Sequence, residues 1–166
     1  MGLLDKLSAW MSGGGSQVTV LVLGLDSSGK SSLLNALRPL EQRVPLTVPT
    51  VGHHQDHFQS TYFYMVYVKY LSELELMLAH PDMFGRRVPL LVLANKSDAP
   101  HALSATHVAA ALGLERITDK PWHICACSAL RGSGLHDAVA WLARQLRDQK
   151  NVAETRTIIY PISVQR

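Results

Sequence analysis

Between Val18 and Leu37 the chain spells one local design: an apolar run, Val18-Thr19-Val20-Leu21-Val22-Leu23, then Gly24-Leu25-Asp26-Ser27-Ser28-Gly29-Lys30-Ser31, then Leu33-Leu34-Asn35-Ala36-Leu37. The middle stretch fits G-x-x-x-x-G-K-[ST], and its flanks are the strand and helix that such a loop needs on either side. Gly24 and Gly29 let backbone N–H groups turn inward around phosphate oxygens, and the helix that follows adds its positive dipole end. Lys30 would carry a point charge to the β and γ phosphates of a nucleotide, and the Ser31 hydroxyl would take one position on Mg²⁺. Asp26, Ser27, Ser28, Gly29, Lys30, Ser31 and Ser32 are the expected phosphate-binding residues, and the fold they call for is α/β.

A second signal addresses the base. Asn95-Lys96-Ser97-Asp98 directly follows the apolar run Val88-Pro89-Leu90-Leu91-Val92-Leu93-Ala94. This is the N-K-x-D pattern of guanine recognition: the Asp98 carboxylate can accept two hydrogen bonds from the N–H edge of guanine, where adenine offers no such pair. A site built around a buried polar pair rejects the analogue that leaves it unpaired by about 10⁴-fold. Asn95 and Lys96 would brace the loop and cover the ring. A third run, Trp122-His123-Ile124-Cys125-Ala126-Cys127, leads into Ser128-Ala129-Leu130, where the Ala129 N–H can meet the base carbonyl. Each short match alone is weak. Three in this order, each at the C-terminal end of a strand, are strong, because that edge is where open α/β sheets bind ligands.

Composition agrees with one globular domain: 166 residues, 47% apolar and 17% charged, are enough for a full core. No apolar run approaches the ~20 residues of a membrane span. Cys125 and Cys127 fall two apart on one strand, so a reduced, cytoplasmic setting is expected rather than a disulfide framework. The net charge of +3 is mild and gives no nucleic-acid footprint.

These motifs, with MGLLDKLS from Met1, GLDSSGKSS from Gly24, PTVG from Pro49, HPDMFGRRVPLLVLANKSD from His80, DKPWHIC from Asp119 and GLHDAVAWL from Gly134, resemble the ARF-like branch of the small GTPases over most of the chain. The resemblance implies a P-loop fold with a mostly parallel sheet flanked by helices, and a monomeric guanine-nucleotide switch using GTP, GDP and Mg²⁺. It also implies docking on membranes in the GTP state and recruitment of a coat or effector, with a BBSome-like coat at the cilium or basal body as the expectation. Thr50 would complete the metal shell from the first switch, beside Ser31, and Asn95, Lys96, Asp98, Ser128, Ala129 and Leu130 would hold guanine.

Residues 1–16 read as a membrane element followed by a hinge. Leu3, Leu4, Leu7, Trp10 and Met11 recur at helical spacing opposite Asp5, Lys6 and Ser8, and Ser12 to Ser16 is Gly/Ser-rich. Burial of five such side chains at ~1.5–3 kcal/mol each, an upper bound, suffices for reversible interfacial binding. Gly2 invites N-myristoylation, although Lys6 stands where that pattern wants Ser or Thr.

The departure from the family lies between Thr50 and Asn95, which are 45 positions apart. The strands, helices and second switch that belong there need roughly 70 residues at average element lengths. About one strand–helix unit is therefore missing, and no D-x-x-G-Q remains; Asp82-Met83-Phe84-Gly85 spells D-x-x-G but lies too close to Asn95 to serve. GTP hydrolysis and switching are expected to be impaired, because the glycine N–H on the γ-phosphate and the water-orienting glutamine are gone. The lost strand is a central one, so two rows of backbone groups would be left unpaired unless another segment fills the gap, and Tyr62 to Val68 is the candidate.

The remaining segments have plainer readings. Leu71 to His80 is an expected helix, and Leu135, Ala138, Val139, Leu142 and Leu146 mark the apolar face of the last helix of a domain spanning 17–150. His53, His54 and His57 are read as surface histidines. Residues 151–166 have no counterpart in the family pattern; Thr157-Ile158-Ile159-Tyr160 has strand propensity but Pro161 interrupts it, so a mobile tail is expected. Two other functions stand beside the leading one: a non-switching interaction protein or truncated product without useful GTP turnover, and a P-loop kinase or ATPase, against which Asn95-Lys96-Ser97-Asp98 argues.

Overall fold

The computed structural model describes residues 18–22, 27–45, 70–81, 83–148 and 155–163. Thr50, the switch region after it, the N-terminal segment 1–17, the histidine cluster and Tyr62 to Val68 lie outside the described residues. Strand β1 (Val18–Val22) precedes helix α1 (Lys30–Leu37), and a second helix, α2, is described over 70–78. Then come β2 (Leu90–Asn95), α3 (Ala105–Ala111), β3 (Trp122–Ala126), α4 (Leu135–Asp148) and β4 (Thr155–Ser163). The four described strands form one sheet in the order β1-β4-β2-β3, all parallel. This is the α/β architecture with helices against a parallel sheet that the motifs call for.

The expected mobile tail is corrected here. Residues 155–163 are a central strand, pairing with β1 from Val18↔Thr155 to Val22↔Ile159 and with β2 from Leu90↔Ile158 to Asn95↔Ser163. The slot that the shortened chain leaves in mid-sheet is filled from the C-terminal side; the candidate Tyr62 to Val68 lies outside the described residues. The physical reason is the vacancy itself: β1 and β2 each present a row of N–H and C=O groups that must be paired once helices cover the sheet. Pro161 does not prevent it. It stands two residues past the last pairing with β1, where only β2 pairs with β4 in the described register, an edge-like place in which a missing N–H is tolerated.

Both faces of the sheet are buried, which explains why β2 is a continuous apolar run instead of an alternating one. Leu91 and Leu93 of β2 and Ile159 of β4 pack on one side against Leu33, Ala36 and Leu37 of α1 and Leu135, Ala138, Val139, Leu142 and Leu146 of α4. The five residues expected to face inward from the last helix all do. On the other side Leu90, Val92 and Ala94 of β2, with Tyr160 and Ile162 of β4, meet Tyr70 and Leu74 of α2 and Val108, Ala109 and Leu112 from the α3 side. Helix α2 runs where Leu71 to His80 was expected, although its buried stripe starts at Tyr70 and Glu75 is exposed. Helix α3 starts at Ser104, whose side chain accepts from His107 N at 3.3 Å and so satisfies one of the open N–H groups of its first turn.

Candidate functional site

Parallel strands end on the same side, so the loops after β1, β2 and β3 share one edge of the sheet, which is where the three motifs stand. Gly24, Leu25 and Asp26 lie outside the described residues. Ser27 and Gly29 both take the left-handed conformation, with φ of 59° and 90°, and the second of these is where glycine is required. A Cβ on Gly29 would collide with the Nδ2 of Asn95 as well as strain the backbone. Gly29 is the N-cap of α1 and provides no side-chain cap, so the first-turn N–H groups keep the anion-binding character of an open helix start. Lys30 is the first residue of that helix and half-buried; Ser31, next to it, is exposed, and Ser32 follows half-buried.

Asn95 is the residue on which the loops converge. It is the last residue of β2 and only 1% exposed. Its Nδ2 donates to the Ser28 carbonyl at 2.9 Å, and its Oδ1 accepts from the Ala129 N–H at 3.0 Å and lies 3.8 Å from the Cys127 thiol. One amide side chain thus joins the phosphate loop to the Ser128-Ala129-Leu130 loop, the bracing role that the motif suggested. The Ala129 N–H, expected to meet a base carbonyl, is here engaged by Asn95. Leu130 is 88% exposed at the tip of its turn.

Lys96 follows in the left-handed region, φ 64°, and partial burial lowers its ammonium pKa. Asp98 is held below the usual carboxylate range chiefly by a hydrogen bond from the Ser128 side chain, then by its own backbone N–H and by Arg131, whose Nε lies 3.5 Å from the carboxylate. The carboxylate is therefore ionised at neutral pH, the acceptor state that an N–H edge requires. Ser128 is fully buried; its Oγ also accepts from Arg131 N at 3.1 Å, and Gly132 N donates to the Ser128 carbonyl at 2.7 Å. The two loops are laced further by Ser97 N to Cys127 O at 3.0 Å and Cys127 N to Ala94 O at 2.9 Å.

Two contributors escaped the sequence reading. Cys127 is buried beside Asn95, and burial pushes its thiol up to about 12, so it acts as a small neutral packing group. Gly134, at φ 73°, lets α4 start hard against the Ala126 carbonyl, which a Cβ would strike. A glycine just before the last helix was visible in the sequence, but its need for close approach was not. Asp82 lies outside the described residues; its neighbours Met83, Phe84 and Gly85 form a turn after α2.

The residues present fit a phosphate-bearing ligand on three counts: the open start of α1, the backbone cradle at Gly29, and the Ser28 hydroxyl, which is buried with no hydrogen-bond partner among the described residues. For Mg²⁺ the described residues offer the Ser31 hydroxyl, and no cluster of three or more His, Cys, Asp or Glu forms a metal site among them. No helix among the described residues is long and apolar enough to cross a membrane.

Comparison with known proteins adds a lineage. Residues 65–146 match the ADP-ribosylation factor family. The chain is similar to ADP-ribosylation factor-like protein 6 of Danio rerio, with 38% identity over 187 aligned positions that cover 90% of this chain and 100% of the relative. It is also similar to the protein of that name from Caenorhabditis elegans, at 31% identity over 181 positions, 88% of this chain and 95% of the relative. ADP-ribosylation factor-like protein 3 of Chlamydomonas reinhardtii is 35% identical over 182 positions, 89% of this chain and 100% of the relative. Each of these alignments has more positions than the chain has residues, so parts of each relative have no counterpart here.

Proposed function

The chain belongs to the ADP-ribosylation factor family of GTPases, and from that premise we propose that it binds guanine nucleotide with Mg²⁺ at the edge where Asn95 joins the loops, with little capacity to hydrolyse GTP. The observation that carries this reading is the double hydrogen bond of Asn95. It holds Ser28 and Ala129 within one side chain of each other, so a ligand with phosphates at one end and a base at the other can span them. The backbone N–H groups around Ser28 and Gly29, with Lys30, would hold the phosphates. The Ser31 hydroxyl would take one metal position and Thr50 another. Asp98 would read the guanine N–H edge, with Lys96 covering the ring. Bound Mg²⁺ supplies charge neutralisation at the phosphates.

Weak hydrolysis and weak discrimination of GTP from GDP follow from the absence of D-x-x-G-Q. A ligand shifts a conformational equilibrium only through contacts that differ between the two states. The same absence favours a second reading, an interaction protein whose effector binding is the same with GDP and GTP. Membrane recruitment through residues 1–16, with a coat of the BBSome kind at ciliary membranes, is the cellular role we propose. It is supported by the amphipathic spacing of Leu3, Leu4, Leu7, Trp10 and Met11.

The test is substitution of Asp98 by Asn, with GTP and ATP affinities measured side by side. Guanine affinity should fall at least tenfold while ATP binding stays weak; equal GTP and ATP binding before and after would overturn the guanine assignment. For the membrane role, Leu4→Asp or Trp10→Asp should reduce liposome flotation, and unchanged flotation would remove residues 1–16 from the account.

A further inference from the structure

Strand β4 ends level with the residue that organises the site. The last pair of the β2–β3 ladder is Ala94↔Ala126, whereas β4 reaches one residue further, to Asn95↔Ser163. Two loop hydrogen bonds, Cys127 N to the Ala94 carbonyl and Ser97 N to the Cys127 carbonyl, flank Asn95, but the strand residue opposite it is Ser163. The end of β4 is in turn clamped from α2. Tyr160 Oη donates to the Tyr70 carbonyl at 3.2 Å, Ser163 N donates to Tyr70 Oη at 3.2 Å, and the two rings meet edge to face with centroids 6.3 Å apart. Both tyrosines are only 1% exposed, so each hydroxyl depends on protein partners instead of water.

We infer that β4 is a positioning segment for the guanine site: the Tyr70–Tyr160 clamp sets the end of β4 beside Asn95, and nucleotide binding and β4 docking stabilise one another. The path is continuous in contacts. It runs from Tyr70 to Ser163, across the strand pair to Asn95, and through the Asn95 amide to Ser28 and Ala129. When β4 leaves the slot, Asn95 loses the strand opposite it and β1 and β2 are left with unpaired backbone. A nucleotide that needs Ser28 and Ala129 held together thereby opposes that opening. By linkage the effect is mutual, so what β4 contributes to nucleotide affinity the nucleotide returns as β4 stability. The inference rests on the guanine-nucleotide reading above.

The experiment uses the full chain with GDP and Mg²⁺. Saturation is followed by fluorescence polarisation of a labelled GDP, and amide hydrogen exchange is followed by mass spectrometry with and without GDP. GDP should slow exchange in 158–163 at least threefold more than in 138–146 of α4. Tyr160→Phe should weaken GDP binding about fivefold, the effect of one hydrogen bond, whereas Leu142→Val, a core change on the sheet face opposite the tyrosine clamp, should lower the melting temperature without that loss. Saturable GDP binding with equal slowing in β4 and α4, or with Tyr160→Phe affinity unchanged, overturns the coupling. Absence of saturable binding in the unmodified chain overturns the nucleotide reading, and the coupling with it.

Discussion

Strands β2 and β4 lie side by side at the centre of the sheet, yet they are written in the sequence in opposite ways. Strand β2 is a run of apolar residues that ends in a binding motif, and any reading of Leu90 to Asn95 makes it a buried parallel strand. Strand β4 begins Thr-Arg-Thr, contains a proline and has no motif, yet its Ile159, Tyr160 and Ile162 are as buried as their β2 neighbours. The difference teaches that a local pattern placed β2, whereas β4 was placed by a vacancy elsewhere in the chain. A segment of moderate strand propensity becomes a central strand when two rows of backbone groups have no other partner.

The sharpest way to break this comparison is to cut the same amount from each strand. Leu93→Ala in β2 and Ile162→Ala in β4 remove buried groups of similar size, and each should cost about 2–5 kcal/mol in denaturant unfolding. A cost below about 0.5 kcal/mol for Ile162→Ala alone would mean that β4 is not part of the core. The next effect is at the last pair of the two strands, where Asn95 of β2 stands opposite Ser163 of β4. Asn95→Ala leaves the Ser28 carbonyl and the Ala129 N–H without their partner and should cost about 2 kcal/mol of stability, with guanine affinity falling at least thirtyfold in the same titrations.

Gly29→Ala should cost about 1–2 kcal/mol through its left-handed φ and the collision with Asn95. Nucleotide affinity should fall with it, and at a fixed GDP concentration the β4 amides should lose the part of their protection that bound nucleotide supplies. The smallest effect is in pH. Burial pushes Tyr70 up to about 12 and raises Tyr160 as well, so the folded state keeps protons that the unfolded chain releases above pH 10. Stability from these hydroxyls is complete below pH 10 and is lost as pH rises toward their folded pKa values. At pH 10.5 the contribution of Tyr70 should be lower than at pH 8, by on the order of 1 kcal/mol, and Tyr70→Phe should flatten that part of the profile.

The legible part of the fold was the part with a period or a motif. The α4 face from Leu135 to Leu146, the strands before Asn95 and Ser128, and the strand and helix around the phosphate loop were all visible because each carries its own spacing. The convergence on Asn95 was half visible: N-K-x-D named the residue, but its bond to Ser28 spans 67 positions and depends on how two loops meet. The tyrosine clamp was invisible, since Tyr70 and Tyr160 are 90 residues apart and no local pattern links them. The shortage between Thr50 and Asn95 called for a strand from elsewhere in the chain at the centre of the sheet. What fills the slot is a matter of long-range pairing, which local propensity does not encode.

The central claim is that these loops form a guanine-nucleotide site on a sheet completed by β4. It is tested most directly by titrating the nucleotide-stripped 166-residue chain with GTP, GDP and ATP in Mg²⁺ while recording thermal unfolding. The account predicts one cooperative transition that rises with GTP and with GDP to a similar extent and is unmoved by ATP. A cooperative transition that no guanine nucleotide shifts, or that ATP shifts equally, would contradict it.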